Sequence, residues 1–451
     1  MFILEDKQLS FDAIPFLKFP YNPEHPLMKL EAAIQWNNLL EALAVFYSAE
    51  EGRHSIPLRA QAGTLILKYV KNLPDRDTVA LVQENLYAQR FCGLSPEQAV
   101  DYMHPATGLS NFRAQIGPEG MAFIEEVLHA AARKKPLKRG NKLIIDTTCV
   151  PLDIRYPTDI KLLERCRREV LILIKKAKAF GVGASYRTYS RMAKKAYTVF
   201  AKLSKPKLKT RKKVHKQRLQ FVRRNFKQLA DLRSQCTQAL GRRVRDESDR
   251  RRWDVLRFLQ RLKESERKIH IILHQQKQIY GGNVHLPHRI VSFHKDHVRP
   301  IMRGKFPVPT EFGPKVLLAV VRGYTYVVQA FQDNVSDTRM TVPALRWFKT
   351  VFGKFPRELL ADRGMWKRAL AKWIRAAGIG CGIQVKGNNV PDTPVTRRQI
   401  RQRLPIEARI SLNKRCFGWD RCRARNDAHE ESWIRLGTAA MNVHLAYGDS
   451  S

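Results

Sequence analysis

Two short apolar runs each end on an aspartate: Leu143-Ile144-Ile145 leads into Asp146, and Leu359-Leu360-Ala361 leads into Asp362. Apolar runs this short, bounded by polar and turn-forming residues, read as buried strands. Neighbouring strands of one sheet bring their ends together, so carboxylates far apart in sequence can meet there. The chain between them must then leave the sheet and return to it.

More strands are predicted on the way to Asp362. Residues 289–293, 315–321 and 324–328 are apolar, β-branched or aromatic for most of their length, and Arg322-Gly323 supplies a hairpin turn, giving an antiparallel half to the sheet. A helix is expected from Ser336-Asp337, with Val342, Leu345, Phe348 and Phe352 on one face and Gly353 as its stop. Another follows Asp362 and carries Trp366, Trp373 and Ile374. The fold class is α/β, a mixed sheet with helices against it.

Between the strands, from Asp159 to about Gln278, the chain turns helical and strongly basic, with runs at 205–213 and 250–252. Leu259, Leu262, Ile269 and Leu273 mark one apolar face, and a long antiparallel helical pair is expected. Asp246, Glu247, Asp249, Glu264 and Glu266 neutralise only part of it. Over the whole chain 82 Lys and Arg stand against 41 Asp and Glu, a net charge of +41. That excess implies a polyanionic partner, nucleic acid first, held through phosphates along these helices.

From about Leu30 to Ala132 apolar residues recur at helical spacing, including Ile34, Leu39, Leu43, Leu65, Ile66, Val79 and Val82, with a break at Asn72-Leu73-Pro74-Asp75. This predicts a compact helical amino-terminal domain. The first residues show no basic region followed by a long apolar run, and no apolar stretch reaches the roughly 18 residues of a membrane span. A soluble, cytoplasmic chain without a membrane partner is expected. The seven cysteines form no Cys-x-x-Cys pair and read as reduced structural thiols.

A third carboxylate, Glu407, lies in Arg403-Leu404-Pro405-Ile406-Glu407. Pro405 suits the first turn of a helix whose apolar side is Ile406, Ile410 and Phe417, which would hold Glu407 at a helix N-terminus. Three converging carboxylates repel one another unless cations lie between them, and two Mg²⁺ or Mn²⁺ ions fit that need. One ion would lower the pKa of a water or a DNA 3′-hydroxyl and the other would stabilise the leaving oxygen. Arg403 and Lys414 flank Glu407 and are placed to clamp a phosphate.

The combination resembles a bacterial insertion-sequence transposase of the DDE type with a ribonuclease-H-like catalytic core. The resemblance runs over nearly the whole chain. Pro26-Leu27-Met28-Lys29-Leu30, Trp36, residues 63–68 (GTLILK), Asn85 and Phe91-Cys92-Gly93-Leu94 look like the helical N-terminal domain of that family. Asp146-Thr147-Thr148 through residues 154–159 looks like its first catalytic strand and following loop. Arg303-Gly304-Lys305, Glu311-Phe312-Gly313 and Lys315 are similar to the segment before its second strand, and Ala361-Asp362-Arg363-Gly364 to its second catalytic aspartate. Arg403, Glu407 and Lys414 match the last three positions of its Tyr, Arg, Glu, Lys motif, while Ile400 stands where the family has tyrosine.

The resemblance implies that Asp146, Asp362 and Glu407 are catalytic metal ligands, with Arg403, Lys414 and Arg363 on the DNA. It implies two Mg²⁺ or Mn²⁺ ions, double-stranded DNA at terminal repeats and at the target as substrate, and a homodimeric synaptic complex. The domains expected are 1–135, a helical DNA-binding or dimerisation domain, and 136–451, a ribonuclease-H-like catalytic domain interrupted by the basic insertion at about 160–278.

Other signals are open to two readings. His270 and His274, with His285 and His288, suggest either a zinc site lacking acidic or Cys ligands at matching spacing or surface histidines. Glu311 is either an extra carboxylate at the site or a fixing point for the loop before the strand. Trp366 either packs in the core or stacks on a flipped base. Trp419, followed by Arg421, Arg423 and Arg425, lines a DNA channel or closes the last helix on the sheet. Two further functions stay open: a catalytically silent DNA-binding relative, and a metal-dependent nuclease that cuts without joining.

Overall fold

The computed structural model describes residues 21–48, 56–101, 106–135, 141–154, 156–183, 185–246, 249–283, 285–302, 310–383, 394–424 and 426–448. Residues 136–140, Arg155, Glu247, Arg303-Gly304-Lys305 and Arg425 lie outside the described residues. The chain divides into two compact units, Met1–Asp153 with Ile301–Ser451, and Ile154–Pro300.

The first unit begins with helices α1 (Pro26–Ala33), α2 (Trp36–Ala44), α3 (Leu58–Val70), α4 (Asp75–Glu84), α5 (Leu86–Cys92), α6 (Pro96–Asp101) and α7 (Ala106–Arg133). The Asn85 side chain caps α5 by accepting from the Ala88 N–H. Gly63 lets α3 and α5 touch: a Cβ there would lie 3.0 Å from the Cys92 Cα. Helix α7 is broken at Gly117-Pro118, where Gly117 takes φ 59°.

The sheet starts with β1 (Lys142–Cys149) and is completed after residue 300. Later elements of the unit are β2 (Pro300–Met302), β3 (Thr310–Phe312), β4 (Lys315–Val321), β5 (Tyr324–Phe331), α12 (Thr341–Phe352), β6 (Glu358–Ala361), α13 (Arg368–Ala376), β7 (Gly380–Ile383), α14 (Pro394–Cys416) and α15 (Glu430–Tyr447). The order is β5-β4-β1-β6-β7, with β1–β4 and β4–β5 antiparallel and β1–β6 and β6–β7 parallel. Arg322 and Gly323 turn the β4–β5 hairpin with φ 54° and 91°, the left-handed pair such a tight turn requires. Leu143, Ile145, Leu359 and Ala361 face a core shared with Leu345 and Phe348 of α12 and Ile374 of α13. Alternation along β1 therefore turns Ile144 and Asp146 to the opposite face. On that face α15 packs against β5, where the Asn442 side chain bonds both the N–H and the C=O of Thr325.

The structure departs from several sequence expectations. Residues 289–293 are no strand: Ile290 and Phe293 bury in the core of the helical unit, and the Ile290 N–H is taken by the Gln275 side chain rather than by a neighbouring strand. Asp337 opens a short 3-10 turn, Asp337–Arg339, and α12 starts only at Thr341, leaving Val342 exposed while Ala344 and Leu345 turn inward. Trp366 precedes α13 instead of lying on it, and packs against the sheet core. Trp419 is fully buried and donates from Nε1 to the Ile434 carbonyl, closing α15. Arg421 pairs with Asp153.

The second unit comprises α8 (Asp159–Ala179), α9 (Ser190–Ala201), α10 (Leu208–Asp246) and α11 (Asp249–Tyr280). The pairs His215–Gln276 and Arg233–Glu266 show α10 and α11 running antiparallel. They do not stand alone: Leu163, Val170 and Leu173 of α8 share one core with Val222 and Leu229 of α10 and with Phe258, Leu262 and Ile269 of α11. Buried Glu164 takes Arg167 and Arg218, and buried Glu169 takes Arg261. No acidic residue occurs between Glu169 and Asp231, a stretch that contains α9 and the first half of α10. His270, His274, His285 and His288 are all exposed, and none belongs to a group of three or more metal-ligating side chains among the described residues.

Candidate active site

The β1–β6 ladder pairs Ile145 with Ala361 as its last step. The next residues along these parallel strands are Asp146 and Asp362, so the two aspartates stand side by side, with backbones roughly 5 Å apart at the usual strand spacing. Leu360 shares its strand face with Asp362, as Ile144 shares its face with Asp146, so both carboxylates belong to the face that α14 covers. The sheet brings these two sequence-predicted residues together.

Glu407 comes from α14, but not from its first turn. The helix runs from Pro394 through Pro405 to Cys416, so Glu407 lies well inside it. Pro405 interrupts one backbone hydrogen bond without ending the helix, because the carbonyl it leaves unpaired belongs to the solvent-exposed Arg401. Ile406 and Asn413 are fully buried and fix which face of α14 meets the sheet. That rotation leaves the Glu407 side chain about half exposed and puts Arg403 one turn before it on the same face.

Arg403 ties the site together. Its Nη2 donates to Glu407 Oε1 at 2.7 Å, and its Nη1 lies 3.5 Å from Asp146 Oδ2. Asp146 Oδ1 accepts from the Thr147 N–H at 2.7 Å. These contacts do not offset burial. Desolvation raises the Asp146 pKa to about 6, against the lowering by the Thr147 N–H and Arg403, and the negative charges of Asp362 and Glu407 push the same way as burial.

Lys414 does not reach toward Glu407. Its ammonium lies 3.6 Å from Glu311 Oε1, so Glu311 of β3 and the last turn of α14 hold one another. Arg363 is exposed in the short turn Arg363–Met365 after Asp362. Ile400 is exposed one turn before Arg403.

Three further residues at this end of the sheet were not among the site residues the sequence singled out. Thr147 Oγ1 donates to Asp337 Oδ1 at 2.8 Å, and Lys315 Nζ binds the same oxygen at 2.8 Å. The turn at 337–339 packs against the turn at 363–365. Between them Gly364 has its Cβ position 3.7 Å from Asp337 Oδ2 and 3.8 Å from Asp362 Oδ2. In sequence Asp337 reads as a helix cap; only the fold carries it to Thr147, 190 residues away.

Among the described residues no helix is long and apolar enough to cross a membrane. Comparison with curated proteins gives no match, and comparison with solved structures gives none. Residues 17–115, the region of α1–α6 and the start of α7, match a family described as a transposase domain (DUF772), and this helical region of the chain is similar to that domain.

Proposed function

We propose that the protein is a DNA transposase of the DDE type, which cleaves at the ends of its element and joins them to target DNA. The observation that carries this reading is the adjacent placement of Asp146 and Asp362 on parallel strands, with Arg403 linking Asp146 to Glu407 of α14. The transposase-domain match over 17–115 and the net charge of +41 support it independently. The mixed five-stranded sheet with helices on both faces is compatible with a ribonuclease-H-like core, and the basic helical unit would be its insertion.

The donor set fits hard divalent cations. Asp146, Asp362 and Glu407 offer only carboxylate oxygens, the ligands Mg²⁺ and Mn²⁺ prefer, and the raised pKa of Asp146 marks a buried carboxyl that its neighbours leave under-compensated. Bound there, such ions would activate a water or a DNA 3′-hydroxyl and stabilise the leaving oxygen. The chain's own part is to orient. The Thr147 N–H holds one oxygen of Asp146, β6 holds Asp362 level with it, and Arg403 supplies positive charge between Asp146 and Glu407. When DNA arrives, Arg403 is placed to exchange its carboxylates for a phosphate, which its planar fork binds bidentately. Arg363 and the cations of α9 and α10 add affinity for the DNA backbone, and a homodimer would bring two element ends together.

Arg403 also favours a second reading. Its guanidinium already bridges Asp146 and Glu407 where a metal would sit, an arrangement that suits a relative that binds element ends and does not cut. The test is cleavage and strand transfer on duplex DNA carrying the element's ends, with Mg²⁺ or Mn²⁺. Wild type should cut and join, while Asp146→Asn, Asp362→Asn and Glu407→Gln should bind the DNA and do neither. Cutting without joining would make the protein a nuclease, and binding without cutting would establish the silent reading.

A further inference from the structure

We infer that Asp337 is the positioning residue that holds the two aspartate-bearing strand ends in register for a divalent ion. This rests on the metal-site reading above and adds to it a residue outside the carboxylate triad.

A chain of contacts joins Asp146 to Asp337. Asp146 Oδ1 is fixed by the N–H of Thr147, so the direction of that carboxylate follows the Thr147 peptide. Thr147 is the next residue of β1, its side chain points to the opposite face, and its hydroxyl donates to Asp337 Oδ1 at 2.8 Å. Rotation of the Thr147 peptide therefore has to break this bond. Asp337 is in turn pinned by Lys315, whose ammonium reaches Asp337 Oδ1 at 2.8 Å and the Val335 carbonyl at 2.9 Å. Lys315 is the first residue of β4 and pairs in register with Cys149 of β1. The brace is thus anchored on the strand beside β1, not on a free loop.

The other oxygen of Asp337 faces the second strand end. Its Oδ2 and Asp362 Oδ2 lie 3.7 and 3.8 Å from the Cβ position of Gly364, so both carboxylates border a residue with no side chain. Lys315 pairs with Asp337, so this carboxylate adds no full uncompensated charge to the strand ends. Asp337 therefore reaches Asp146 through Thr147, and shares with Asp362 the space beside Gly364. Groups that orient a metal ligand typically change affinity by about 10- to 100-fold when removed.

The test is Mn²⁺ binding to the full chain without DNA, read by the loss of the free-ion electron paramagnetic resonance signal, with circular dichroism melts to verify folding. Asp337→Ala and Thr147→Val should each weaken Mn²⁺ binding by about tenfold or more while keeping a cooperative melt. Thr147→Ser, which retains the hydroxyl, should bind as wild type does. The double variant should be little weaker than either single one, because both break the same arm. A general loss of structure would not be rescued by serine at 147. If Asp337→Ala and Thr147→Val fold and bind Mn²⁺ within twofold of wild type while Asp146→Asn does not bind, the brace is refuted and the metal site stands. If wild type binds no Mn²⁺, or Asp146→Asn binds as well as wild type, the metal-site reading fails and Asp337 loses its role with it.

Discussion

At Asp146 the Thr147 N–H and the Arg403 guanidinium together fail to offset burial, and the carboxyl keeps its proton up to about pH 6. Below the ordinary aspartate pKa the group is neutral in folded and unfolded chains alike. As pH rises toward 6 the unfolded chain releases its proton first, so the folded state loses stability across this window. Above it the full penalty stands, on the order of 3 kcal/mol at 1.36 kcal/mol per pH unit. Asp146→Asn removes the titration and keeps the shape. In chelator, its melting temperature should pull ahead of wild type between about pH 4 and pH 6 and keep a constant lead above that. A lead that does not change with pH would mean that the carboxyl is not desolvated. Adding Mg²⁺ at pH 8 should raise the melting temperature of wild type and leave the variant where it was, since bound ions stabilise the folded state only where their ligand is present.

Helix α14 and the strands show which parts of the fold the sequence made legible. The apolar runs ending in Asp146 and Asp362 could be read directly, because a buried strand followed by a polar residue needs no long-range information. Residues 289–293 have the same local pattern, yet the Gln275 side chain takes a backbone donor there and the apolar side chains find a helical core. Asp337 was illegible for a related reason: its partners Thr147 and Lys315 become neighbours only when β1 and β4 pair. The buried Ile406 of α14 and Phe417 just past its end were evident, but Pro405 pointed to a helix start that the structure places at Pro394. Proline inside a helix disfavours it by about 3 kcal/mol relative to alanine, reduced here because the freed carbonyl is at the surface. Pro405→Ala should therefore raise stability, by about 1 to 3 kcal/mol in urea unfolding. A variant no more stable than wild type would show that α14 has already absorbed the proline through its packing.

Charge is distributed unevenly over the molecule. In the helical unit, the cations Arg165, Arg233, Arg261, Arg267 and Lys268 all have carboxylate partners. The stretch between Glu169 and Asp231 has no acidic residue, and Lys209, Lys212 and Lys213 on the first turns of α10 are exposed without an ion-pair partner among the described residues. An ammonium already paired releases few counterions when DNA binds, whereas an unpaired one contributes nearly a full unit to the salt dependence. Replacing Lys209, Lys212 and Lys213 together by Gln should flatten the slope of log affinity against log salt by about 2 to 3 for any duplex, whatever its sequence. Arg267→Gln, which removes a cation paired to Asp296 at 3.2 Å, should change the slope little. The same comparison separates this surface from the site at the strand ends. On the proposed reading Lys209, Lys212 and Lys213 serve affinity for all DNA, so their loss should leave the ratio of cleavage to binding unchanged at saturating DNA. Asp146→Asn should do the reverse, abolishing cleavage with the salt slope intact. If the triple variant keeps the wild-type slope, the phosphates are held elsewhere, and the transposase-like helices α1–α6 become the surface to neutralise next.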